Sequence, residues 1–227
     1  MHENDAMLRD ALPGWPLSTI CHIQTKPSHG GPAVKGTGFV IAGDLILTAA
    51  HNVTGDYFDG EAPQKVRVFL GWSGSNYEKR YAVEDTYSDL HIHEDYPLNP
   101  ERDIAIIRLG QGIGDIAGAL GLETADDDRL IGASSPEEWM LNGFPFGGAL
   151  QTYSGHVTNP NPWAFRHTAD DTEGGVSGGP IWAYLDDMPI AVGVHYFSDD
   201  PDHTDACRIT ANDIDWILSV IEEQTPD

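Results

Sequence analysis

The chain has 227 residues, with 36 Asp and Glu against 12 Lys and Arg, a net charge of −24 and a pI near 4.4. That charge repels phosphate backbones and anionic lipid surfaces, so neither nucleic acid nor a membrane is an expected partner. The length suits one domain or two small ones sharing an interface, and it can bury a core without a metal or disulfide staple.

The acidity is scattered, with short clusters such as Asp126-Asp127-Asp128, and reads as a solvated surface rather than an acidic tail. No apolar window is long enough to span a bilayer. The N-terminus lacks the basic and apolar regions of a signal peptide, which fits a cytoplasmic chain or a secreted one whose signal has been removed. Cys21 and Cys207 are the only cysteines and are expected to be free and buried. Composition is silent on oligomeric state.

In chain order, residues 1–15 read as a lead ended by Pro13-Gly14 and Pro16. Short β-branched runs follow, including TGFVIAG, LILTAAH, VRVFLGW and IAIIRL, separated by Gly, Pro, Asn and Asp. They predict a β unit over 16–110. Residues 111–135, rich in Gly, Ala and Asp, read as a linker, and 136–210 as a second β unit. Ile214, Ile217, Leu218 and Ile221 have helical spacing, with Asn212 or Asp213 as a cap. A closing helix and tail over 211–227 are therefore expected on an all-β fold.

Three segments carry candidate chemistry: LTAAHNV around His51, RDIAIIRL around Asp103, and DTEGGVSGGP around Ser177. A serine hydroxyl is a weak nucleophile until an imidazole takes its proton. The imidazole needs a carboxylate to fix its tautomer and stabilise its charged form. The tetrahedral intermediate needs fixed N–H donors, which a glycine-rich turn supplies. Each residue alone has a bland reading as a strand end, a surface acid or a turn, but the three contexts together point to acyl transfer.

These blocks, with GFPFG at 143–147 and GVHY at 193–196, resemble the trypsin-like (chymotrypsin-fold) serine peptidases, and within them the V8-like glutamyl endopeptidases. The resemblance implies two six-stranded antiparallel β-barrels with a C-terminal α-helix and the site in the cleft between the barrels. It makes His51 the general base, Asp103 its orienting partner and Ser177 the nucleophile. The backbone N–H groups of Gly175 and Ser177 would form the oxyanion hole. A polypeptide is the implied substrate, with no metal and no cofactor.

Val176 stands where animal digestive relatives carry an acid that pairs with a newly cut N-terminus, so activity is not expected to need such an insertion. The cysteine bridge flanking the histidine in many relatives is missing, so folding should tolerate reducing conditions.

For specificity the resemblance places Thr172, His195 and Ser198 where glutamyl endopeptidases bind a Glu side chain. Asp171, six residues before Ser177, stands where trypsin carries the acid that selects Arg and Lys. Cleavage after Glu or Asp is preferred over cleavage after Arg or Lys. Tyr196-Phe197 is expected to narrow the extended groove. Two other classes stay open: a binding module on a protease fold with little catalysis, and an esterase using the same three residues. The His91 and His93 pair has no third ligand in sight and is not expected to bind metal. The Asn52-Val53-Thr54 sequon abuts His51 and reads as chance.

Overall fold

The computed structural model describes residues 12–74, 81–84, 87–110, 112–169, 172–200 and 203–223, the strand segments 81–84, 87–88, 198–200 and 203 by their backbone alone. The first sheet runs β1 (Ile20–Lys26), β2 (Val34–Ala42), β3 (Leu45–Thr48), β4 (Lys65–Leu70), β5 (Tyr81–Glu84), β6 (Tyr87–Ile92) and β7 (Ala105–Leu109). Its spatial order is β5-β4-β1-β2-β3-β7-β6, and every named pair is antiparallel. The two edges, β5 and β6, end and begin at Glu84 and Tyr87. Strands so close in sequence can sit at opposite edges only if the sheet curls back on itself. The first sheet thus has seven named strands and is curled, where a six-stranded barrel was expected.

The second sheet repeats the device. It comprises β9 (Trp139–Gly143), β10 (Gln151–Gly155), β11 (Val157–Thr158), β12 (Ala164–His167), β13 (Pro180–Leu185), β14 (Met188–Asp200) and β15 (His203–Arg208). The order is β10-β9-β13-β14-β15-β12-β11, and edge strands β10 and β11 flank a single residue, His156. The fold is thus all-β, with two curled antiparallel sheets and a C-terminal helix. Residues 111–135 hold more structure than a plain linker. They contain the short helices α1 (Gly114–Ala117) and α2 (Asp127–Ile131), and β8 (Gly121–Leu122) pairs in parallel with β14.

Period-2 alternation explains the continuous apolar runs of β3 and β7. Ile46, Ala105 and Ile107 face the core inside the first sheet. Leu45, Leu47, Ile104 and Ile106 face a second core shared with Phe144, Trp182 and Val194 of the other sheet. Strands buried on both faces have no reason to alternate with polar residues. This shared core fixes the two sheets against each other and so fixes the cleft.

The closing helix α3 spans Ala211–Glu222. Its N-cap is Thr210 rather than Asn212 or Asp213. Asp213 is the third helical residue of a capping box, its Oδ2 accepting from Thr210 N at 2.7 Å while Thr210 Oγ1 accepts from Asp213 N. The buried face is Asp213, Ile217 and Val220, whereas Leu218 and Ile221 are 49% and 38% exposed. A buried carboxylate at position 213 moves the face by part of a turn, because the helix docks around an ion pair. Cys21 and Cys207 are free and buried in different cores, as expected.

Candidate active site

His51 sits in a single helical turn, Ala50–Asn52, just after β3. Asp103 follows the turn Pro100–Arg102, which Asn99 caps by accepting from Glu101 N. The β3–β7 pairing, Thr48 opposite Ala105, brings both residues to the same sheet end. Asp103 is 5% exposed and accepts twice from His51, from the backbone N–H at 2.9 Å and from Nδ1 at 2.5 Å. The carboxylate therefore holds the proton on Nδ1 and leaves Nε2 as a base.

The loop carrying Asp103 is anchored by its neighbour. Arg102, fully buried, pairs with Asp213 of α3, donates to Arg208 O at 3.3 Å, and lies over the Trp163 ring at 5.6 Å. His93 Nε2 stands 3.4 Å from Asp213 Oδ1, and its ring meets Trp216 edge-on. Burial pushes the Asp213 carboxyl up, but hydrogen bonds from His93 and Thr210 and the Arg102 charge pull it below its ordinary value. His93 thus serves this cluster, and His91 pairs with Asp89 at 3.6 Å.

Ser177 lies in the turn between β12 and β13. Val176 N–H donates to Glu173 O, closing a β-turn with Gly175 at its third position and φ +101°. A positive φ there is what a type II turn requires, and a Cβ on Gly175 would lie 2.6 Å from Phe144 O. Gly178 is confined more tightly: its Cβ would fall 2.0 Å from Thr37 O.

The first sheet grips this turn directly. Thr37 N–H donates to Ser177 O at 2.8 Å and Thr37 Oγ1 to Gly175 O at 2.7 Å. Asn52 Nδ2 donates to Ser177 O at 2.8 Å and to Thr48 Oγ1 at 3.0 Å. The sequon asparagine is thus buried and engaged. Composition gave no cue to the bracing role of these three residues, although Thr48 and Asn52 lie inside the His51 motif and Thr37 opens the TGFVIAG run. Arg102, next to Asp103, and the Thr-x-x-Asp box at 210–213 were the available signals for the anchor.

His51, Asp103 and Ser177 line one cavity of 620 Å³, together with Thr172, His195, Tyr196 and Phe197. The Ser177 hydroxyl donates to Tyr196 O at 3.3 Å. Catalytic hydrogen bonds often form only when substrate binds, so this resting contact is compatible with transfer to His51. Tyr96 and Tyr196 also border the cavity. Burial, reinforced by Asp103, raises the Tyr96 phenol to about 12, and burial chiefly raises that of Tyr196, so both stay neutral.

Among the expected specificity residues, Thr172 and His195 reach this cavity. His195 is 3% exposed, and burial, with His51 nearby, pushes its imidazole down to about 3. Among the described residues, Thr172 Oγ1 and His195 Nδ1 are buried with no hydrogen-bond partner. Ser198 falls on β14, but its side chain lies outside the described residues, as does Asp171 altogether. Tyr196 is half-buried and Phe197 is 51% exposed, and both line the cavity wall.

Two curled antiparallel sheets with a cleft site between them and a C-terminal helix define the chymotrypsin-like class of fold. Residues 36–191 match the trypsin-like peptidase domain, and the chain belongs to that family. A solved Glu endopeptidase, in complex with MPD, shares the fold with a TM-score of 0.74 and 21% identity over 92% of each chain. No curated protein matches the sequence.

Proposed function

We propose that the protein is a serine endopeptidase that cleaves after Glu or Asp through an acyl-enzyme. The observation that carries the proposal is the His51–Asp103 pair at 2.5 Å sharing one cavity with Ser177. Ser177 Oγ would attack the scissile carbonyl as His51 Nε2 takes its proton. Asp103 stabilises the resulting imidazolium, and the N–H groups of Gly175 and Ser177 receive the oxyanion. When the C–N bond breaks, His51 returns the proton to the leaving amine. Water then repeats the sequence in reverse on the acyl-Ser177 ester, restoring the free hydroxyl.

Specificity rests on the unpartnered polar atoms of the cavity wall. A buried donor left unsatisfied costs about 1–3 kcal/mol, which a substrate carboxylate recovers by accepting from it. Thr172 offers a hydroxyl, whereas His195, whose neutral ring has one N–H and a backbone hydrogen bond to Asp205, becomes a further donor as an entering carboxylate raises its proton affinity. The Glu endopeptidase of like fold supports the same choice.

A peptide panel with Glu, Asp, Gln, Arg, Lys and Leu before the scissile bond tests the reading. The expected result is the highest kcat/KM for Glu or Asp, lost in Ser177→Ala. Preference for Arg or Lys that vanishes in Asp171→Asn would assign the pocket to cations instead.

A further inference from the structure

The sheet register gathers a minority charge. In a chain with only 12 Lys and Arg, four of them share one face of the first sheet. Gln24 of β1 stands opposite Lys35 of β2 on one side and Arg67 of β4 on the other. Lys26, two residues on, stands opposite Lys65. Directly opposed residues in antiparallel strands point to the same face, as do residues two apart. Lys26, Lys35, Lys65 and Arg67 therefore form one row. The register sets Glu84 of β5 opposite Arg67, and the nearby Glu61 carboxylate is engaged by Ser28 Oγ.

This face is concave. Gln24, Lys26, Gln64, Lys65 and Arg67 line a cavity of 520 Å³. Among the described residues, Arg67 Nε is buried there with no hydrogen-bond partner. The row is also continuous with the active site. Lys35 Nζ donates to Phe146 O at 3.0 Å, and Phe146 N–H donates to Gly174 O at 2.5 Å, in the turn that carries Gly175 and Ser177. Neither Lys35 nor Phe146 lines the 620 Å³ cavity where Thr172 and His195 stand, so the row approaches Ser177 from another flank.

We infer that this cationic groove receives an acidic stretch of the polypeptide substrate on the leaving side of the scissile bond. The inference rests on the peptidase reading above. Strands β2, β1 and β4 are neighbours, so the row spans about 10 Å, which about three extended residues cover. An acidic leaving segment pairs with the row while the rest of this anionic surface repels it, so the groove works by local contrast. A nucleic acid would meet the same cations but then face the surrounding acidity along its whole length.

The test uses quenched fluorescent peptides that are identical up to the scissile bond and then continue with Asp/Glu, Ala/Ser or Lys residues. At low ionic strength the acidic segment should raise kcat/KM about tenfold over the neutral one, and the ratio should shrink to about twofold in 0.5 M NaCl as screening takes hold. In Lys26→Gln/Arg67→Gln the low-salt ratio should fall to about twofold. Equal rates for the three segments, or an acidic preference undiminished in that variant, would overturn the inference.

Fluorescence anisotropy with Ser177→Ala reads the groove independently of turnover. An acidic peptide should bind at least fivefold tighter than a neutral one, and less tightly after the double substitution. If no peptide is cleaved but this difference persists, the groove stands and the peptidase reading falls. An oligodeoxynucleotide of equal charge binding as tightly as the acidic peptide would reassign the groove to phosphate.

Discussion

The two sheets contribute unlike halves to the cleft. The first supplies His51 and Asp103 already wired together, with both carboxylate oxygens occupied by His51. The second supplies Ser177 with its hydroxyl resting on a backbone carbonyl, and Thr172 and His195 with buried polar atoms that lack partners among the described residues. On the proposed function, the acid–base half is satisfied before substrate arrives, while the recognition half is left to be completed by it. Preorganised groups lower the barrier because they need no rearrangement during reaction, and unsatisfied ones discriminate because only the right side chain relieves them.

Breaking the nucleophile should have the largest effect. Ser177→Ala should lower kcat by about 10⁵-fold or more. Its stability should change by less than about 0.5 kcal/mol in urea unfolding, since the lost hydroxyl makes one 3.3 Å contact. Asp103→Asn should cost about 10⁴-fold in kcat, because the amide favours the wrong His51 tautomer, with KM little changed.

On the recognition side the effect should be smaller and selective. Thr172→Val should reduce kcat/KM for a Glu peptide by about 10–100-fold while leaving a Leu peptide within about threefold, since one hydrogen bond to a charged group is worth about 1.5–3 kcal/mol.

The same contrast predicts a pH dependence of stability. The folded-state pKa of His195 is depressed to about 3 from an ordinary 6.5, and burial also lowers that of His167. The unfolded chain therefore binds more protons below pH 6.5, and stability falls with acidification across that window. Asp213, depressed below 3.8, holds its contribution above that pH and loses it further down. Urea unfolding should show a drop of about 2 kcal/mol between pH 7 and 5 from His195, largely absent in His195→Gln.

Much of this was legible in the sequence because it depends on local pattern. The strand runs, the glycines framing Ser177 and the order of the three motifs all survive folding as neighbours in the chain. The helix face was not, because Asp213 is buried by an ion pair with a residue over a hundred positions away, which reverses the usual rule for carboxylates. The grip of Thr37 and Asn52 on the Ser177 turn was likewise invisible, since those bonds join the two sheets across the cleft, with Thr48 bracing Thr37 from within the first sheet. The cationic row appears only through register, as Lys35 and Arg67 are unremarkable until both oppose Gln24.

The central claim is that Ser177 is a nucleophile activated by His51. Incubation with a fluorophosphonate followed by peptide mapping tests it most directly. The account predicts one adduct, on Ser177, formed rapidly at pH 8, slowed at least a hundredfold in His51→Ala and absent after denaturation. No adduct on the folded protein, or one that forms equally in Ser177→Ala, would contradict it.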